Sequence, residues 1–128
     1  KISISLDILT DKMGEIVRKC AMIPPYELPT IFNRTHDLKI LNLPGHTDDS
    51  ACLFEKESGM LFSGDVLYKG EMYCTCVNSN VDHYIVSLTS IQTLPISCTL
   101  PGHNEILTAR GTQAALVEWL TLLRANQR

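Results

Sequence analysis

The chain has 128 residues, 45% of them apolar and 20% charged, with a formal net charge of -3. These values fit one globular domain that buries roughly two thirds of its unfolded surface, and they exclude a disordered chain. The mild acidity argues against nucleic acid as the main partner, because phosphate binding needs a basic face.

No run approaches the roughly 20 apolar residues that a membrane span requires. The opening segment, KISISLDILTDK, lacks both the continuous apolar stretch of a signal peptide and an initiator Met, so the chain is expected to be processed or cut from something longer. The five cysteines, Cys20, Cys52, Cys74, Cys76 and Cys98, form an odd, scattered set. Such a set suits a reducing compartment better than a disulfide framework, so a cytoplasmic setting is the expectation.

In chain order, Ile2, Ile4, Leu6 and Ile8 alternate like a strand, while Leu6, Leu9, Met13, Ile16, Val17 and Cys20 recur at helical spacing. The longer pattern predicts a helix over about 7–20. Residues 23–29, IPPYELP, break any helix and read as a connector. From Leu38 the texture changes. LKILNL is a short apolar strand that ends at Pro44-Gly45, and ACLFEK (51–56) is a second. The tight turn ESG leads into a third strand, MLFS (60–63), which ends at Gly64-Asp65. Two short strands around a glycine-containing turn predict a hairpin.

A polar, cysteine-bearing loop follows. VDHYIVSLTSIQTL (81–94) then predicts a helix capped by Asp82, with Ile85, Leu88 and Ile91 or Gln92 on its buried stripe. ISCTL (96–100) is another strand, ending at Pro101-Gly102-His103. A last helix is predicted over about 112–124, with Gly111 before it and Leu116, Trp119, Leu120 and Leu123 on its apolar stripe.

Three of these strands end alike. Each runs into a glycine turn, and each turn carries a metal-competent side chain: His46, Asp65 and His103. Glycine permits the sharp turn and keeps bulk away from the ligand. Sites gather at strand ends, where loops from distant parts of the chain converge. Imidazole and carboxylate together suit zinc, manganese or iron.

LPGHTDDS, LFSGDVLY and the second LPGH (100–103) resemble the third, fourth and fifth motifs of the metallo-β-lactamase superfamily, closest in flavour to its glyoxalase-II-like and acyl-CoA-thioesterase-like hydrolases. The resemblance covers about Leu38 to Leu123. It implies an α/β fold of the αββα type, of which this chain is about one αβ half: a mixed sheet with helices on one face. Residues 1–37 become the linker and helix from the end of the other half, and 38–128 the C-terminal half. It also implies that His46 completes a three-histidine set around one metal, Asp65 bridges two metals, and His103 binds the second. Two zinc ions are the implied cofactors, with iron or manganese suiting the same donors. The implied reaction is hydrolysis of a small-molecule thioester or ester by a metal-bound hydroxide.

The sequence departs from the family in one respect. The His-x-His-x-Asp-His motif, which supplies four further ligands, is absent, and His36 in RTHDLK reads as a polar turn. This chain alone is therefore expected to bind metal weakly and to be inactive. A lone half would expose an apolar sheet face, to be covered by the missing N-terminal half or by self-association. The alternative is a non-catalytic truncated product or an interaction module using that face.

Other residues carry weaker signals. Tyr68 and Lys69 follow Asp65 and either border a substrate pocket, with Lys69 meeting an anionic group, or form a surface loop. Asp48 and Asp49 either orient His46 or are solvated. Cys74 and Cys76 have the spacing to join His83 around a metal, but no second close pair supports them. Cys52, Cys98 and Trp119 are most simply core residues, and His83 is expected to be exposed.

Overall fold

A computed structural model describes residues 30–32 and 37–127, so the predicted helix over 7–20, the connector and His36 lie outside the described residues. The described strands are β1 (Thr30–Phe32), β2 (Asp37–Asn42), β3 (Ala51–Glu55), β4 (Met60–Gly64), β5 (Cys98–Pro101) and β6 (Leu107–Thr108). They form one mixed sheet in the order β1-β2-β3-β4-β5-β6. Neighbours are antiparallel except β4 and β5, which run parallel. The sheet thus begins as a meander and then needs a crossover, because two parallel strands cannot be joined by a tight turn. Helix α1 (Val81–Ile91) lies within that crossover, and α2 (Ala109–Ala125) follows β6.

Both helices bury an i, i+3, i+4, i+7 stripe. On α1 it is Tyr84, Ser87, Leu88 and Ile91. On α2 it is Thr112, Ala115, Leu116, Trp119, Leu120 and Leu123. The apolar members of both stripes join Cys52, Phe54 and Leu61 in one core cluster, so the helices pack on a single face of the sheet, as expected. Trp119 sits at its centre, edge-on to Tyr68 at 4.7 Å and to Tyr84 at 6.1 Å between ring centroids. Cys52, fully enclosed here, is the small core residue the sequence suggested, and burial pushes its thiol pKa far up.

The other face carries Ile40, Leu53 and Phe62, aligned by the pairing of Ile40 with Leu53 and of Leu53 with Phe62. The expected apolar patch there is reduced, since Ile40 and Leu53 are buried and Phe62 is only 38% exposed.

Several boundaries differ from those read off the sequence. Strand β1 forms within the stretch assigned to the linker. The cap of α1 is Asn80, whose side chain accepts from the His83 amide at 2.9 Å, so Asp82 falls in the first turn. There its charge faces the positive end of the helix. Tyr84, not Ile85, leads the buried stripe, and Gln92 is the exposed C-cap. Helix α2 starts three residues early because Thr108 caps it, accepting from the Gly111 amide at 3.1 Å, so Gly111 lies inside the first turn. Among the described residues, no helix is long and apolar enough to cross a membrane.

Replacing Trp119 by Ala removes the ring that both tyrosines pack against. The expected loss is about 3–5 kcal/mol of unfolding free energy, read from the urea midpoint.

Candidate metal centre

The sheet directions bring the three turns to one place. Strands β2 and β4 each pair antiparallel with β3, and β5 runs parallel to β4, so β2, β4 and β5 all end at the same edge. The turns that follow them carry His46, Asp65 and His103.

The first turn is pinned by α1 and the two residues before it. The Ser87 hydroxyl donates to the Pro44 carbonyl, the Asn80 amide to that of Gly45, and the Ser79 hydroxyl to that of His46, at 2.6, 2.9 and 2.6 Å. Gly45 has φ of 149°, and a Cβ there would lie 2.3 Å from the Tyr84 Cα. Only glycine allows α1 to approach the turn this closely. A Cβ at Gly102 would likewise lie 2.9 Å from Asp65 Oδ1, so that glycine makes room for the carboxylate.

Asp65 stands between the two histidines. Its Oδ2 is 3.7 Å from His46 Nε2, and its Oδ1 is 3.0 Å from His103 Nε2. His46 Nδ1 lies 2.8 Å from the Tyr73 carbonyl. A carbonyl only accepts, so Nδ1 carries the proton and, in the neutral ring, Nε2 keeps its lone pair toward Asp65. Two lone-pair donors then face each other, an arrangement that a cation or a proton satisfies. The His103 contact is short enough for a hydrogen bond. Among the described residues, no group of three or more His, Cys, Asp or Glu side chains is arranged to hold one ion. The arrangement is instead two His–Asp pairs sharing the Asp65 carboxylate. The donor set of imidazole and carboxylate suits zinc, iron or manganese.

The remaining sequence candidates fall differently. Tyr68 is buried rather than on a surface loop, and its ring meets that of His103 edge-on with centroids 5.7 Å apart. Burial raises its hydroxyl pKa, and the nearby Asp65 charge adds to this, against a lowering from the Tyr73 amide bond. Lys69 is exposed and lies 2.6 Å from Glu105, a bond that raises its pKa. A cavity of about 360 Å³ beside His103 is lined by Tyr68, Glu71, Tyr73, His103 and Asn104. Asp48 and Asp49 are exposed, and Asp49 accepts from the Thr47 hydroxyl rather than from His46. Cys74, Cys76 and His83 are not brought together as a metal group.

Sequence reasoning missed Tyr73, which acts through its backbone carbonyl, and Asn104, which donates to the Lys69 carbonyl from a left-handed backbone at φ 64°. The Gly-His-Asn sequence held a hint of the latter, because Asn tolerates that conformation.

A family model described as the Metallo-beta-lactamase superfamily matches residues 23–103. The chain is 40% identical over 76 residues to chicken (Gallus gallus) acyl-coenzyme A thioesterase MBLAC2, covering 56% of this chain and 27% of that protein. It is 37% identical over 71 residues to a beta-lactamase-like protein 2 homolog of Caenorhabditis elegans, covering 55% and 23%. The chain thus spans about a quarter of the length of these relatives. Among solved structures, a metallo-beta-lactamase family protein from Thermus thermophilus superposes with a TM-score of 0.67 at 20% identity, covering 76% of this chain and 33% of that one. TTHA1623, solved in a di-iron-bound form, gives a TM-score of 0.56 at 25% identity, covering 61% and 40%.

Gly45→Ala is expected to destabilise the fold by about 2–4 kcal/mol through backbone strain and the clash with Tyr84. Gly111→Ala serves as its contrast. An added methyl there meets Thr108 Oγ1 at an ordinary 3.4 Å. It should stabilise by about 0.5–1 kcal/mol in the same urea titration.

Proposed function

Because the chain belongs to the metallo-beta-lactamase superfamily, we propose that His46, Asp65 and His103 are the ligands that one half of the fold gives to a two-metal hydrolytic centre. The remaining ligands come from a His-x-His-x-Asp-His segment outside these 128 residues. The observation that carries this reading is the division of Asp65, with one oxygen toward each imidazole.

The chain's own residues do three things in this reading. Tyr73 holds the His46 ring so that Nε2 faces the centre. Asp65 supplies one oxygen to each side, and Gly102 leaves it the space to do so. His103, whose Nε2 lies 3.0 Å from Asp65 Oδ1, would be the imidazole donor on the other side of that carboxylate. When bound, the ions supply Lewis acidity and a water acidic enough to act as a nucleophile near neutral pH. No side-chain nucleophile is then needed.

Thioester hydrolysis is the proposed reaction, supported by the likeness to acyl-coenzyme A thioesterase MBLAC2. The cavity beside His103, lined partly by Tyr68 and Tyr73, is the proposed place for the substrate. Lys69 is paired with Glu105, so it meets an anionic group only when the substrate displaces that carboxylate. Zinc is the proposed metal, and the di-iron form of TTHA1623 makes iron the first rival. A cytoplasmic setting belongs to the same reading, resting on the odd, scattered cysteines.

The test is metal analysis and acyl-CoA hydrolysis of the full-length protein. His46→Ala and His103→Ala should each lower the bound metal, Asp65→Ala should lower it most, and all three should slow hydrolysis by at least about 100-fold. Chelation should abolish activity and zinc should restore it, whereas restoration by iron alone would reassign the metal. Unchanged metal content and rate in all three variants would overturn the proposal. Two tightly held ions per monomer of the 128-residue chain would overturn its half-site aspect.

A further inference from the structure

We infer that Tyr68 is a positioning residue that orients both histidines of the centre, His46 through its hydroxyl and His103 through its ring. The inference rests on the metal-centre reading for its purpose but not for its geometry.

The connection to His46 is a short relay. The Tyr68 hydroxyl donates to the Glu71 carbonyl at 2.9 Å and accepts from the Tyr73 amide at 3.3 Å. One hydroxyl thus grips both ends of residues 71–73. The Tyr73 carbonyl in turn accepts the His46 Nδ1 proton at 2.8 Å. Residues 71–75 form neither helix nor strand, so no ladder of backbone bonds holds them in place. The bond that sets the His46 tautomer therefore hangs from a segment that Tyr68 fixes.

Tyr68 is itself held firmly. Its ring lies between His103 and Trp119, with interplanar angles of 73° and 89°. The residues before it, Val66 and Leu67, are buried, and the Leu67 carbonyl accepts the Ser63 hydroxyl at 2.6 Å. A tyrosine serving only as core would need its ring and any one acceptor. Here the hydroxyl spends both of its roles on the stretch that ends at the carbonyl facing His46. A phenylalanine would fill the same space against Trp119 and His103 but release residues 71–73. This separates the two functions of the side chain.

The test uses nitrogen NMR of the imidazoles in the metal-free, full-length protein, where metal content plays no part. In Tyr68→Phe, the His46 Nδ1 proton should exchange with water about tenfold faster, its ring should populate both tautomers, and His103 should be unchanged. In Tyr68→Leu, both histidines should shift. Thr112→Val is the stability control, because it removes a buried bond to Thr99 that touches neither histidine. It should leave both histidines as they are. The inference is overturned if His46 exchange in Tyr68→Phe stays within about twofold of the parent protein, or if Thr112→Val speeds it equally. Should Tyr68→Phe not fold, exchange in the parent protein decides. The His46 Nδ1 proton and the Tyr73 amide should then respond to denaturant with the same slope, and unequal slopes would overturn the coupling. Loss of metal binding with these NMR results intact would sink the proposed function and leave the role of Tyr68 standing.

Discussion

The parallel pairing of β4 with β5 is the constraint on which the rest of the structure depends. Antiparallel neighbours alone would send Asp65 and His103 to opposite edges of the sheet. Running β5 parallel to β4 puts Pro101 beside Gly64 and lets the Gly102 amide donate to the Gly64 carbonyl at 2.8 Å. The same pairing demands a long crossover. That crossover contains Ser79 and, on α1, Ser87, whose hydroxyls pin the turn bearing His46. One choice of strand direction therefore places the second histidine and supplies the scaffold for the first.

The electrostatics follow from this placement. A single carboxylate sits between two imidazoles at 3.7 and 3.0 Å. One imidazole has its proton committed to a backbone carbonyl, while the other reaches the carboxylate directly. The asymmetry matters because the two imidazoles are held differently: His46 is fixed through its far nitrogen by a backbone bond, and His103 only by its contacts with Asp65 and the Tyr68 ring. Nearby, Lys69 and Glu105 neutralise each other at the rim, so Asp65 is the charge that dominates between the histidines.

Much of this was legible in the sequence, and the reasons differ by residue. The hairpin of β3 and β4 showed itself because two apolar runs flank Glu57-Ser58-Gly59, and Trp119 because it falls on a helical stripe. His46, Asp65 and His103 stood out because each follows a glycine at a strand end, and the structure gathers them. The cap of α1 was misplaced because Asn80 and Asp82 both accept amide protons well, and only the backbone geometry decides between them. Strand β6 is two residues long, too short for any periodicity to register. Tyr68 was ambiguous because its burial depends on Trp119, far along the chain, and the part played by Tyr73 belongs to a carbonyl that every residue type carries.

The pinned turns have a consequence for the cost of ordering. Gly45 lies against Tyr84, Gly102 against Asp65, and the His46 ring is tied to Tyr73 before any ligand arrives. The conformational entropy of these turns is therefore lost when the chain folds rather than when the site is filled. A ligand entering between them has little left to immobilise, so more of its interaction energy is expressed as affinity. The same rigidity narrows what the site accepts, because a guest of the wrong radius meets turns that cannot give way.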